Sequence, residues 1–162
     1  MHLLDLANRL PSDPYLPARQ LKGSPGYLYY LRVRGEAKLL YKIGYTSGTL
    51  DRRVVELGAG EATVRLVDYL EFPTGGEAYL MEQRLHLFFR ESYRRFRYDY
   101  RLKGKILPSG NTELYTRDIL SLPSIEVKLV EYLAGFSGMV AKRQRLRESY
   151  KRRRGGYGKY YR

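Results

Sequence analysis

The sequence predicts a small mixed α/β (α+β) domain with a central three-stranded, mostly antiparallel sheet that is flanked by helices. Three observations support this fold class. Two neighbouring segments rich in β-forming residues are joined by a short polar turn, a third such segment follows, and helical patterns lie between and after them. With 162 residues, the chain is long enough for one domain with a hydrophobic core and too short for two full-sized ones.

The chain begins with a short helical pattern and then reaches "PSDPYLP", in which three prolines in seven residues interrupt any regular element. The expected organisation is therefore an N-terminal arm over residues 1–25, a folded domain over residues 26–135 and a basic tail over residues 136–162.

A β-hairpin is predicted at the start of the folded domain. Tyr27–Val33 and Leu39–Tyr45 are rich in residues that favour strands, and "RGEAK" between them is a polar turn with a glycine. Both segments are apolar on both faces, which is typical of strands in the middle of a sheet.

The hairpin is followed by "TSGT", whose hydroxyls and glycine suit the start of a helix. Residues 50–57 then place Leu50, Val54 and Leu57 on one face, and glycines end the pattern. Arg53 lies beside this apolar stripe, whereas Arg52 is turned further away from it.

The next elements are a third strand at Thr63–Phe72 and a helix from about Glu77 to Arg94. This helix is apolar on several faces and is expected to be buried. A basic, aromatic segment, "RRFRYDYRLKGK", leads to the loop "LPSGNTELYTRDIL", and a last helix is predicted at Ile125–Leu133.

The charge of the chain indicates a polyanionic partner. The net charge is +13, and residues 141–162 alone hold ten Lys and Arg residues against one Glu. Tyrosines are interleaved with these charges, so the tail can contact phosphates and stack on bases. The alternative is a solvated end without a partner. The residues assigned to nucleic acid here are Arg143, Arg145, Arg147, Lys151, Arg152, Arg153 and Arg154.

Other site classes are excluded by composition. The chain has no cysteine, which excludes disulfides and thiolate metal sites, and it has only two histidines. No apolar run reaches 18 residues and no secretory signal pattern is present, so we expect no membrane span and a cytoplasmic location.

The strongest chemical anomaly is the pair Glu82 and His86, which share one face of an otherwise apolar helix. An ionised carboxylate is unfavourable there unless it is paired or binds a cation, although an ordinary Glu–His pair at the edge of the core would explain the spacing equally well. Lys42 and Arg53 could bind a phosphate, and Tyr29 could relay a proton. Each of these three residues also has an ordinary structural explanation.

Five ordered features carry a family resemblance: "GYLY" on one strand, "YKIGYT" on the next, an arginine on the following helix, a glutamate on the second helix and a late "GNTELY". Over roughly Gly26 to Tyr115, this order resembles the GIY-YIG nuclease superfamily in its phage-type branch. The resemblance implies a Mg²⁺- or Mn²⁺-dependent endonuclease that hydrolyses phosphodiester bonds.

The strand motifs imply specific roles. Leu28-Tyr29 is similar to the Ile-Tyr of the first motif, which makes Tyr29 the candidate base or proton relay. Lys42 takes the place of the tyrosine of the second motif, and Tyr41 or Tyr45 could replace the missing phenol. Gly44 would leave room for the scissile phosphate.

The helix and loop motifs imply the remaining roles. Arg53 resembles the arginine that stabilises the phosphate, with Arg52 as the alternative, and Glu82 resembles the metal-binding carboxylate, with His86 one turn later. Asn111 takes the place of an amide that steadies the site, with Glu113 beside it. Gly44, Tyr45 and Arg52 are also expected to contact nucleic acid. A histidine found in some members of the superfamily is replaced by Leu57, which implies that Tyr29 or His86 acts as the base.

Three functions are compatible with the sequence. The first is a DNA endonuclease, acting as a monomer that nicks or as a dimer that cuts both strands. The second is an inactive nucleic-acid-binding module, which the lysine of the second motif would favour. The third is an enzyme that cleaves RNA, because tyrosine- and arginine-rich tails stack on single strands of either type.

Overall fold

The chain folds around a four-stranded antiparallel sheet with strand order β3-β1-β2-β4. The strands are β1 (Gly26–Arg34), β2 (Leu39–Thr46), β3 (Thr63–Phe72) and β4 (Leu114–Tyr115). The structure is a computed structural model that describes residues 1–13 and 24–156, with side chains described as far as residue 150. The mixed α/β fold class is confirmed, and so are the hairpin and the third strand.

The sequence predicts three strands, whereas the sheet has four. The additional strand, β4, has two residues and pairs Tyr41 with Tyr115 and Lys42 with Leu114. A segment of this length shows no alternation of apolar and polar residues, so the sequence pattern could not reveal it. Its position matters for the site because it brings the preceding residue, Glu113, to the side of Lys42.

The helices are α1 (Leu3–Arg9), α2 (Leu50–Leu57), α3 (Gly75–Tyr93), α4 (Tyr100–Lys103) and α5 (Ile125–Gly156). At the start of α3, Thr74 and Glu77 form a capping box, in which each side chain accepts a hydrogen bond from the other residue's backbone N–H. The prediction that this helix is buried is confirmed, since Leu85, Phe88 and Phe89 are fully buried.

The sheet separates two hydrophobic cores. On one face, Leu28, Tyr30 and Ile43 pack with residues of α1, α3 and α5. On the other face, Tyr29 and Leu31 pack with residues of α2 and of the loop that precedes β4. Because side chains alternate along a strand, the adjacent residues Tyr29 and Tyr30 serve different faces of the sheet.

Tyr30 is a framework residue of the sheet. Its hydroxyl donates a hydrogen bond to Asp118 Oδ1 at 3.0 Å and accepts one from the backbone N–H of Ile119 at 3.0 Å. Burial raises the pKa of Tyr30 far above its ordinary value, and the charge of Asp118 adds to this effect. The phenol therefore stays protonated and ties β1 to the segment that precedes α5.

The last helix is much longer than the predicted Ile125–Leu133. It continues to Gly156, a length of 32 residues, which corresponds to about 48 Å at about 1.5 Å per residue. The apolar pattern ends earlier than the helix does, because the later residues are mostly Lys, Arg, Gln and Glu. These residues are good helix formers even where no core contact holds them. The helix thus runs without interruption across residue 136.

Candidate active site

Tyr29 and Gly44 lie directly opposite each other on β1 and β2. The tyrosine ring covers the glycine so closely that a Cβ at position 44 would lie 2.6 Å from the Tyr29 hydroxyl oxygen and 2.7 Å from two ring carbons. Glycine is therefore needed at this position to accommodate the phenol, whatever else binds there. Tyr29 itself is 1% exposed, so its ring has no free space into which it could move.

Arg53 lies on α2 and forms a hydrogen bond to the hydroxyl of Tyr29. Its Nε donates a hydrogen bond to the Tyr29 oxygen at 3.2 Å, and its Nη1 lies 3.4 Å from Glu56 Oε2. Arg52 also contacts Glu56, but its side chain is 80% exposed, whereas that of Arg53 is 26% exposed. The prediction that Arg53 lies nearer the apolar stripe is confirmed, and of the two arginines only Arg53 forms a hydrogen bond to Tyr29 within the described residues.

The pKa of Tyr29 decides which form of the phenol is present. Burial raises this pKa above its ordinary value, and the hydrogen bond and positive charge of Arg53 oppose that effect only in part. Tyr29 is therefore protonated near neutral pH. A protonated phenol that lies between a cation and a bound reactant can relay a proton, but it cannot act as a general base in the way that a phenolate would.

Lys42 occupies the middle of the site as a buried cation. It is 1% exposed, and its Nζ donates hydrogen bonds to Glu113 Oε2 at 2.6 Å, Gly110 O at 3.0 Å and Ile43 O at 3.4 Å. Burial lowers the pKa of Lys42 and the charge of Glu113 opposes this effect. Burial alone would raise the pKa of Glu113, but the charge and hydrogen bond of Lys42 hold it below its ordinary value.

Glu82, His86 and Glu113 form a compact cluster, in which one potential ligand atom from each residue lies within 4.8 Å of the others. His86 Nε2 is 3.4 Å from Glu82 Oε1 and 4.0 Å from Glu113 Oε1. Glu82 is 4% exposed, and its other oxygen accepts a hydrogen bond from Gln83 Nε2 at 2.8 Å. Although His86 Nε2 is buried, it makes no hydrogen bond within the described part of the chain. Two carboxylates and an imidazole nitrogen thus surround one small space.

Asn111 supports the site through its loop. Its Oδ1 accepts hydrogen bonds from the backbone N–H groups of Ile106 and Leu107, both at 2.9 Å, and its Nδ2 donates to Leu107 O at 2.7 Å. The side chain therefore closes the loop that carries Glu113. The adjacent Gly110 has a φ of 68°, and a Cβ there would lie 2.9 Å from Lys42 Nζ, so the loop approaches the lysine as closely as glycine allows.

Tyr41 and Tyr45 point away from Tyr29. They alternate along β2 with Lys42 and Gly44, so their side chains lie on the opposite face of the sheet. Tyr41 stacks on Tyr30 with ring centroids 6.0 Å apart, and Tyr45 makes an edge contact with Tyr79 of α3 at 5.1 Å. Neither phenol occupies the place that a replacement for the second-motif tyrosine would need.

The basic residues of the tail that are predicted to contact nucleic acid lie along α5. Arg143 forms an ion pair with the buried Asp13, which ties the helix to the N-terminal segment. Arg145 and Arg147 are exposed. The side chains of Lys151, Arg152, Arg153 and Arg154 lie outside the described residues.

The sequence places Glu113 beside Asn111 in the late motif without indicating its partners, and the structure places it between Lys42 and His86. The available signal was Lys42 itself, because a lysine in an apolar central strand needs a buried anion as its partner. The sequence could not indicate which anion this is, since the two residues are 71 positions apart.

The close contact between Tyr29 and Gly44 gives a first testable prediction. Gly44→Ala is expected to lower the free energy of unfolding by about 1–3 kcal/mol, because the new methyl group overlaps a ring that cannot move. In a Tyr29→Leu background the same change should be nearly neutral. Chemical denaturation of the four proteins of this cycle measures the difference. Gly48→Ala is the control, because its nearest neighbour is 3.6 Å away. Equal effects of Gly44→Ala in both backgrounds would contradict the explanation.

Comparison with known families places this geometry in context. Residues 26–123, from the first strand to the segment that follows β4, match the model of the T5orf172 domain. Domains of this family are found in phage proteins and in proteins of endonuclease type. No curated protein and no solved structure matches the chain. Within residues 1–13 and 24–156, no helix combines the length and apolar character that crossing a membrane requires. Because the match covers more than half of the chain and includes every element of the site, the protein belongs to the T5orf172 domain family.

Proposed function

We propose that the protein is a Mg²⁺-dependent endonuclease that hydrolyses phosphodiester bonds in DNA. One observation carries the proposal: Lys42 lies two residues before Gly44 on β2, where the Tyr29 ring packs, and its Nζ donates a hydrogen bond to Glu113 Oε2 at 2.6 Å. The Tyr29–Arg53 pair and the Glu82–His86–Glu113 cluster are thus parts of a single site. Such a combination of a proton carrier, a guanidinium and a carboxylate cluster suits phosphoryl chemistry.

The cluster of Glu82, His86 and Glu113 fits a divalent cation. The carboxylate oxygens are hard donors of the kind that Mg²⁺ and Mn²⁺ prefer, and His86 Nε2, which makes no hydrogen bond within the described residues, can complete the set. When bound, such a cation supplies Lewis-acid stabilisation of the negative charge that develops on the phosphate.

The residues of the chain have separate tasks in this proposal. Arg53 binds a non-bridging phosphate oxygen and carries part of the developing charge, while it also orients the Tyr29 hydroxyl. Tyr29 accepts the proton that the attacking water loses while its own hydroxyl proton passes to a second water, and the departing 3′ oxygen takes up a proton from solvent. Lys42 keeps Glu113 ionised and in place. Attack on phosphorus with departure of the 3′ oxygen would leave 5′-phosphate and 3′-hydroxyl ends.

The test uses two adjacent arginines as a matched pair. Purified protein is incubated with supercoiled plasmid in Mg²⁺ or in EDTA, and with an RNA of similar length. We expect cleavage of the plasmid in Mg²⁺ only. Arg53→Ala should lower the rate by about 10²–10³-fold, a typical loss for one donor to a transition-state oxyanion. Arg52→Ala should stay within a few-fold of wild type, since its side chain is 80% exposed and does not reach Tyr29.

Three results would overturn the proposal. They are the absence of cleavage in Mg²⁺, cleavage of RNA but not of DNA, and equal losses for Arg53→Ala and Arg52→Ala. The absence of cleavage in every arm would favour a binding module on the same scaffold. The ends of any product are identified by ligation, which requires a 5′-phosphate.

A further inference from the structure

A basic groove lies beside the site, and none of the roles above uses it. It encloses about 670 Å³, and its lining includes Arg90, Arg94, Arg97, Arg101, Tyr100 and Thr112. The arginines come from the end of α3, the turn after it and the short helix α4. The groove is therefore built from the basic, aromatic segment that the sequence showed without indicating its use.

The basic groove leads to the carboxylate cluster. A smaller cavity of about 210 Å³ is lined by His86 and Glu113 and also by Arg90, Arg97 and Thr112. The last three residues line the basic groove as well. The two cavities are therefore adjacent, and a chain-like ligand in the groove would lie next to the space around His86 and Glu113.

The groove keeps a net positive charge, because its lining has four arginines and two acids. Of its two acids, Asp99 caps α4 by accepting a hydrogen bond from the Arg101 backbone N–H at 3.0 Å, and Glu91 lies 3.4 Å from Arg90 Nη2. Arg97 donates to Thr112 O at 3.2 Å. Arg94 and Arg101 are exposed, and among the described residues neither forms an ion pair with a carboxylate.

We propose that the basic groove binds the sugar-phosphate backbone of the DNA strand that is cut, with Arg94 and Arg101 contacting phosphates beside the scissile one. This inference rests on the proposed function, because it names the path of the substrate of that site. Arginine side chains that are exposed, line one groove and form no ion pair within the described residues are well suited to phosphates spaced along a strand. The contacts fix the position of the strand and carry no sequence preference.

The chain also provides a control surface of the same charge. Arg34 and Arg65 are exposed arginines that line a cavity of about 270 Å³ formed by β1, β2 and β3. That cavity shares no lining residue with the basic groove or with the space around His86. Removing two arginines there changes the net charge of the protein by the same amount as removing two from the groove.

The experiment measures binding without cleavage. The double variants Arg94→Gln/Arg101→Gln and Arg34→Gln/Arg65→Gln are compared with wild type by fluorescence anisotropy of a labelled DNA duplex in EDTA over a range of salt concentrations. Each lost phosphate contact makes the slope of log K against log salt shallower by about 0.9. The groove variant should therefore lose about two units of slope, and the control variant should keep the wild-type slope. Circular dichroism checks that both variants are folded.

A groove variant with wild-type slope, or equal changes in both variants, would overturn the inference, and so would a slope change seen with an RNA duplex only. The two proposals fail separately. If the wild type never cleaves DNA but the groove variant loses DNA binding, only the endonuclease proposal is refuted. If the wild type cleaves DNA and the groove variant binds DNA as well as the wild type does, only the groove proposal is refuted.

The position of the strand can be measured directly because the chain has no cysteine. A photoactivatable group is attached to Arg101→Cys and, as the control, to Arg65→Cys. Crosslinks from position 101 should fall on the cleaved strand within a few nucleotides of the cut bond. Crosslinks that are equally frequent from position 65, or that are scattered along the duplex, would contradict the predicted path.

Discussion

Glu82→Gln is expected to lower Mg²⁺-dependent cleavage about a thousandfold. A bound cation contributes several kcal/mol to transition-state stabilisation, and losing about 4 kcal/mol corresponds to a factor of about 10³. The substitution preserves the size of the side chain and the hydrogen bond that its oxygen accepts from Gln83, and it removes only the charge. Glu131→Gln is the control, because this glutamate is exposed on α5 and lies outside both the cluster and the basic groove. It should leave the cleavage rate unchanged.

The same variant has a readout that does not depend on activity. Thermal unfolding of wild type should shift upward with added Mn²⁺, because a ligand that binds only the folded state stabilises it. Glu82→Gln should lose most of this shift. In EDTA the variant should be at least as stable as wild type, since a 4% exposed carboxylate without a cation is unfavourable. Unchanged cleavage together with an unchanged Mn²⁺ shift would remove Glu82 from the metal site.

Much of the framework was predictable because it depends on local periodicity. The hairpin and the third strand are segments rich in strand-forming residues, and α2 and the buried α3 carry apolar residues at helical spacing. The two-residue strand β4 shows neither pattern, and its pairing with β2 joins residues that are far apart in the sequence. The length of α5 was underestimated because its charged second half forms a helix without an apolar stripe.

The site was predictable only to the extent that its members belong to recognisable motifs. Tyr29 and Arg53, which the order of motifs singled out, do contact each other, as do Glu82 and His86. The role of Glu113 was not predictable in this way. Its partner Lys42 is 71 positions away, and a pattern in the sequence does not encode which loop approaches a given strand. Asn111 similarly acts through a loop whose closure no periodicity indicates.

The Lys42–Glu113 pair gives the largest expected effect on stability. Glu113→Gln should lower the free energy of unfolding by about 2–4 kcal/mol, because it leaves a 1% exposed ammonium without an anion. Complete burial of both partners would justify a larger value, but the Glu113 side chain is 31% exposed, and water compensates part of the loss. Urea unfolding measures the change. Glu131→Gln, which breaks the exposed pair with Lys128, should change stability by less than about 0.5 kcal/mol.

The double variant Lys42→Met/Glu113→Gln separates the structural role of the pair from its chemical role. Methionine fills the space of the lysine stem without a charge, so the double variant should be more stable than Glu113→Gln alone. If the pair acts only in folding, cleavage should recover together with stability. We expect stability to recover while cleavage stays low, because the Mg²⁺ cluster has then lost the Glu113 carboxylate that Lys42 holds in place. Recovery of both properties would show that the lysine in the second motif is a structural replacement, and that Tyr29, Arg53 and Glu82 are sufficient for the chemistry.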